Sequence, residues 1–266
     1  MSFDKLLRCP YEVNDEHIKC PEKDINIYIL NQKDDNVVLH LTLTDARKVF
    51  EMNSDLVQQF DEITNDAFKN EISFNPGETI KRITEYDMKE DMNKIGRVDW
   101  MVFTYNLKNN DLVASLFYGD KPINEMMSLY IYAVFSNPKY RRQGHCENMI
   151  KSLRTEKSKI YDVFLMISTI FAWNVASMGL YRKMGFQVIS VDIDDDIHEQ
   201  MAKKGMTELK EVEFGDEKLT EGHYFTFIQH ACSPNYMQNL IQQQMKEAEE
   251  AGIEIKKDEE ISTNNS

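Results

Sequence analysis

The stretch from Leu129 to Val191 limits what this chain can fold into more than any other. It opens with apolar residues at alternate positions (Leu129, Ile131, Ala133, Phe135), the period of a strand with one buried face. Asn137-Pro138 breaks that run, and Arg141-Arg142-Gln143-Gly144-His145-Cys146 follows. Met149, Ile150 and Leu153 then recur at helical spacing. A strand that feeds a helix through a glycine-bearing loop presents main-chain N–H groups at a helix start, where the macrodipole also favours negative charge. Gly144 lets a ligand approach the backbone closely, and Arg141 and Arg142 add positive charge. Taken alone, the loop is more simply explained as a glycine turn between strand and helix. Neither GxxxxGK[ST] nor GxGxxG is present, so the P-loop and Rossmann readings fail.

The flanking sequence adds strands and helices in alternation. Val163–Ile170 is almost continuously apolar, as a strand covered on both faces should be. The helical stretch Asn174–Met184 stops at Gly185, and Phe186–Val191 reads as another strand. Upstream, Asp24–Gln32 and Val37–Thr44 alternate around a short polar connection. Thr44 or Asp45 is the expected cap of a helix holding Val49 and Phe50, and Leu56, Phe60, Ile63 and Ala67 mark a second helix. Phe74–Arg97 reads as loop and irregular helix. Val98–Leu107 and Leu112–Tyr118 read as a hairpin, after which Lys121-Pro122 turns the chain into the Leu129 strand. Asp192–Gly222 is an acidic, partly helical excursion ahead of a last strand, His223–Gln229.

These elements predict a mixed α/β (α+β) sheet domain over residues 24–230. Residues 1–23 read as an arm with little regular structure. Residues 231–266 read as a helix carrying Met237, Leu240, Ile241 and Met245, then a disordered acidic tail. That helix docks on its own domain or on a partner.

Composition narrows the partners. With 42% hydrophobic residues the chain can bury a substantial core, and its net charge of −14 argues against nucleic acid while suiting cationic amines. No apolar run is long enough to cross a bilayer, and the first residues, which include acids, lack the h-region of a secretory signal. A cytoplasmic location is expected. The four cysteines lack C-x-x-C or zinc-ligand spacing, so free thiols and no metal site are expected. Asp192-x-Asp194-Asp195-Asp196 lacks the glycine and closing glutamate of a calcium loop and reads as a solvated charge run.

Two motifs in order now carry a resemblance. Pro138-Lys139-Tyr140-Arg141 leads into Arg141–Cys146, and Asn174 and Ala176 precede Leu180-Tyr181-x-Lys183-x-Gly185-Phe186. Together they resemble the GNAT superfamily of acetyl-CoA-dependent N-acetyltransferases, most fully over Leu129–Val191. The resemblance implies a splayed, twisted mixed sheet flanked by helices, open between the Leu129 and Val163 strands. It implies that the pantetheine arm of acetyl-CoA pairs with Val134, Phe135 and Ser136 and meets Asn174. The pyrophosphate then rests on Arg141, Arg142, Gln143, Gly144, His145 and Cys146.

The implied chemistry is direct transfer of an acetyl group to the neutral amine of a small molecule, peptide or protein. A main-chain N–H at Val134 or Phe135 steadies the oxyanion, and Tyr181 protonates the leaving thiolate. Three positions depart from the family pattern. Cys146 stands where glycine or alanine is usual, and Glu147 puts a carboxylate beside the phosphates. No acid lies on Ser128–Ser136, leaving Glu125 or a water chain as base, because Tyr130 and Tyr132 are poor bases at neutral pH. These departures keep a second reading open, a GNAT-fold binding or scaffold protein with little or no transfer that assembles through the 234–250 helix.

Overall fold

The computed structural model describes residues 2–68, 99–123, 125–194, 197–203, 208–214 and 217–250. The stretch read as irregular, Phe74–Arg97, and the tail past Ala251 lie outside the described residues.

Alternating apolar runs pair into one ten-stranded sheet. Its strands are β1 (Glu12–Val13), β2 (His17–Cys20), β3 (Ile25–Lys33), β4 (Asn36–Thr42), β5 (Trp100–Asn106), β6 (Asp111–Ile123), β7 (Met126–Ser136), β8 (Val163–Phe171) and β9 (Gln187–Ile193). The tenth, β12 (His223–Cys232), is inserted between β8 and β9. A small hairpin, β10 (Glu211–Phe214) with β11 (Glu217–Thr220), stands apart. Neighbours are antiparallel except β7 and β8, which are parallel because a helical crossover joins them.

Helices cover both faces. α1 (Leu43–Met52) and α2 (Ser54–Phe68) pack on one, with Phe50, Phe60, Phe103, Phe117 and Phe135 in a continuous buried cluster. α3 (His145–Lys157) and α4 (Val175–Lys183) pack on the other, over Leu129, Ile131, Met149, Phe164, Met166 and Phe227. Strict alternation would put Leu129, Ile131 and Phe135 on one face, but a bulge in β7 between them sends Phe135 to the first cluster and leaves Leu129 and Ile131 in the second. α5 (Ile197–Lys203) lies in the acidic excursion. α6 (Pro234–Glu250) leaves Tyr236, Met237, Leu240, Ile241 and Met245 exposed, so its apolar stripe does not dock on the described part of its own domain.

Several expectations are corrected. The N-terminal arm contains β1 and β2, which extend the sheet beyond β3. Phe3, Leu6 and Leu7 of that arm are buried in the first cluster. Cys9 and Cys20 are joined in a disulfide, whereas only Cys146 and Cys232 are free. Their separation in sequence hid this pairing, which depends on β2 folding back along the arm. Helix α1 starts earlier than expected, capped by Thr42: its Oγ1 accepts the Asp45 N–H at 3.0 Å and donates to Asp45 Oδ2 at 2.8 Å. Lys121-Pro122 does not turn the chain; β6 continues to Ile123. Pro122 is tolerated there because β5 pairs with β6 only as far as Tyr118, leaving one side of β6 beyond it without a partner strand among the described residues.

Phe60 makes edge-on contacts with Phe50, Phe117 and Phe135 at centroid distances of 5.2, 6.0 and 5.3 Å. Truncating it opens a cavity where two helices meet the sheet. Phe60→Ala is expected to lower stability by about 3–5 kcal/mol in urea unfolding.

Candidate functional site

The parallel pair β7/β8 is short. Register partners run from Ser128 opposite Leu165 to Ile131 opposite Ser168, and then the strands part. Ser168 marks the fork, its Oγ donating to the Ile131 carbonyl at 3.1 Å. Beyond it, β7 keeps its other neighbour but is bulged: Phe117 faces Tyr132 and Ser115 faces Phe135, so Ala133 and Val134 stand opposite Leu116 alone. Ala133 accordingly has φ 43°, a left-handed conformation a non-glycine residue seldom holds. Residues 132–136 therefore present a strand edge that β8 does not engage.

Just past β7 the chain is pinned before it enters α3. Asn137 Oδ1 accepts the Lys139 N–H at 3.0 Å, and Tyr140 Oη donates to Asp111 Oδ2 at 2.6 Å. Arg142 has φ 62° and Gly144 φ 81°, two left-handed residues that reverse the chain into the helix. An alanine Cβ at Gly144 would meet no atom within 4 Å, so the backbone angle, rather than crowding, makes glycine favourable.

Fork and loop open into a cavity of about 640 Å³. Of the residues predicted from sequence, Val134, Phe135, Ser136, Arg141, Arg142, Gly144, His145, Cys146 and Asn174 line it. Gln143 does not; it is exposed and donates to the Lys139 carbonyl at 3.3 Å. Asn174 caps α4, its Oδ1 accepting the Ser177 N–H at 3.1 Å. Sequence reasoning missed Asp66, Ala67 and Ser177. Ser177 was within reach of a helical-spacing argument from Asn174, but Asp66 and Ala67 arrive from α2, which no local pattern links to the loop.

Tyr181 lies beneath the cavity. Its ring is fully buried, 4.8 Å from Phe186 and 5.9 Å from Phe227 between centroids, and among the described residues its hydroxyl makes no hydrogen bond of good geometry, the Ser168 hydroxyl being its polar neighbour. Burial raises its pKa above the ordinary phenol value, with the Ser168 hydroxyl at the fork opposing this in part. A second orphaned atom is His145 Nε2, in a ring set edge-on to Tyr140; burial lowers its pKa and keeps the imidazole neutral.

The Cys146 thiol points at the Phe135 carbonyl, 3.7 Å away, and burial raises its pKa to about 11. It is a small neutral lining group, with little nucleophilic character at neutral pH. Glu147 is clamped by Lys151 at 2.7 Å and Lys183 at 2.6 Å, which lower its pKa to about 2. Its charge is therefore offset on both sides. Glu125, offered with a water chain as the base, sits just before the far end of β7, six residues before Ile131 and so about 20 Å along the strand at ~3.3 Å per residue. It is too distant to act directly at the fork. Among the described residues, no cluster of three His, Cys, Asp or Glu side chains could hold a metal ion.

Fold and cleft together have the form that the resemblance to the GNAT superfamily implies: a mixed sheet parted beside a helix start that faces a cavity. No family model and no curated protein matches the chain. Solved structures with a similar course of chain include ribosomal-protein-S18-alanine N-acetyltransferase from Escherichia coli, at 14% identity over 74% of this chain and 94% of that one, TM-score 0.43. Ribosomal-protein-alanine N-acetyltransferase from Brucella melitensis is similar at 16% identity, over 72% and 98%, TM-score 0.42. A GNAT family acetyltransferase from Elizabethkingia anophelis with acetyl-CoA bound is similar at 14% identity, over 50% and 75%, TM-score 0.34.

The clamp on Glu147 has a pH signature. A carboxyl whose pKa falls from 4.5 to about 2 on folding stabilises the native state above pH 4.5 and loses that contribution as pH drops toward 2. Glu147→Gln is expected to lower the thermal midpoint at neutral pH, and the gap from wild type should close across that window in a pH series of thermal melts.

Proposed function

We propose that this protein transfers an acetyl group from acetyl-CoA to an amine by direct attack on the thioester. The observation that carries this reading is the fork, where an unengaged strand edge and a left-handed glycine loop line one cavity above the buried Tyr181. A pantetheine arm, which carries amide groups, is matched by the free edge at Val134, Phe135 and Ser136. A pyrophosphate is matched by the N–H groups and cations from Arg141 to Cys146, and Asn174 faces the same cavity. Residues 24–230 form the transferase unit, with β1 and β2 widening its sheet.

In this reading the neutral amine attacks the thioester carbon, and the C–S bond then breaks. A main-chain N–H at Val134 or Phe135 stabilises the oxyanion. The departing thiolate takes a proton from Tyr181, which burial keeps protonated until that step, and the phenolate regains a proton through water once the amine has released its own. The proton left on the product nitrogen passes to water, since no acid lies on Ser128–Ser136. The acceptor is an amine on a small molecule, peptide or protein, attracted by the acidic surface. Among the described residues no helix is long and apolar enough to cross a membrane. A cytoplasmic location goes with this reading only if the Cys9–Cys20 bond is reducible, since cytosolic thiols are held reduced.

Isothermal titration with acetyl-CoA tests the donor directly. The absence of both heat and a thermal shift at saturating acetyl-CoA would reject the reading. Tyr181→Phe tests the chemistry. Thiol release with a reactive amine should fall by about 10²-fold or more while acetyl-CoA affinity holds. Its thermal midpoint should stay level or rise, because the change removes a buried hydroxyl that makes no well-formed hydrogen bond among the described residues.

The exposed stripe on α6 fits self-association or a partner helix. Deleting residues 234–266 should lower the mass seen by light scattering and leave the thermal midpoint unchanged, as the described side chains of that helix are exposed.

A further inference from the structure

Asp66 lies in the last turn of α2, and its carboxylate is paired with the Arg141 guanidinium at the cavity mouth. Its position is unfavourable for the helix itself, because a negative charge at a helix C-terminus opposes the macrodipole and no basic residue in that turn offsets it. The pair also joins distant parts of the chain, 75 residues apart, across the entrance of the candidate acetyl-CoA cleft. Both groups line the cavity, so any anion on the loop meets a guanidinium already held by an acid.

We propose that Asp66 is a built-in stand-in for the ligand's phosphates and sets the loop's selectivity for polyanions. This rests on the reading that the cleft takes acetyl-CoA. With the cleft empty, Asp66 keeps Arg141 paired; on binding, a phosphate takes over the guanidinium and Asp66 releases it. The exchange is easy because the paired side chains are 45% and 31% exposed, and ion pairs so exposed are weak. A phosphate forks onto arginine through two charge-assisted bonds and displaces the carboxylate. A singly charged anion gains too little elsewhere on the loop to offset losing that pair and facing the Asp66 charge. Asp66 therefore acts against weak anions more than against a pyrophosphate that also meets the α3 N-terminus and Arg142.

The test is calorimetric titration of the full chain with CoA and with inorganic phosphate, comparing wild type, Asp66→Asn, Arg141→Gln and the double variant. Asp66→Asn should tighten CoA binding about threefold to tenfold. It should tighten phosphate by a larger factor, and the gain should shrink in the Arg141→Gln background. Asp66→Ala must move affinity the same way, and thermal melts check that each variant is folded. If wild type binds CoA but removing the carboxylate leaves affinity unchanged or weakens it, Asp66 merely positions Arg141 and this proposal falls alone. If wild type binds no CoA, the cleft reading falls and takes the proposal with it.

Discussion

Everything in the candidate site follows from β7 and β8 separating after one short parallel stretch. Sheets are held by continuous ladders of main-chain hydrogen bonds, so an interior strand that loses one neighbour exposes donors and acceptors that must be paired by something else. Here the Ser168 hydroxyl takes the Ile131 carbonyl at the fork, and the bulge with Ala133 at positive φ bends β7 away. Strain of this kind is kept only where surrounding packing imposes it, and Ile131 and Phe135 on either side are buried in opposite clusters. The cleft is thus a gap held open by the cores on both faces.

The electrostatics of the gap run against those of the molecule. A chain of net charge −14 gathers Arg141, Arg142 and Lys183 around one helix start. The acids that share this lining are paired, Glu147 by two lysines and Asp66 by Arg141. Local positive character in an acidic protein therefore depends on pairing geometry, which net charge cannot report. Inside the same gap, burial keeps the reactive groups in their neutral forms: Tyr181 and Cys146 protonated, His145 uncharged.

Much of this was legible in the residues. Alternation located β3, β4 and β7, because a half-buried strand must alternate, a hairpin signal located β5 and β6, and a nearly continuous apolar run located β8. The loop residues Arg141, Gly144 and Cys146 were singled out through the resemblance, because a strand, a glycine and a helix start in succession also make a plain turn. Errors came where distant segments meet. The arm holding Cys9 and Cys20 looked irregular because its order comes from pairing with β3 and from burying Phe3 and Leu6 against the first cluster. Pro122 looked like a turn because the local rule ignores whether a neighbouring strand needs its N–H. Asp66 was invisible as a site residue for the same reason, since its partner is brought to it by the sheet.

The sequence by itself determined the strand–loop–helix unit, the second motif from Asn174 to Phe186 and the acidic character of the chain. These are short-range properties, set by side-chain period, backbone freedom and charge, and they are readable in a window of a few turns. Tertiary structure alone decided that β12 inserts between β8 and β9, that Tyr181 is sealed beneath the cavity, and that α2 delivers an acid to Arg141. Those facts depend on which surfaces are buried together, and burial is a property of the whole packed chain.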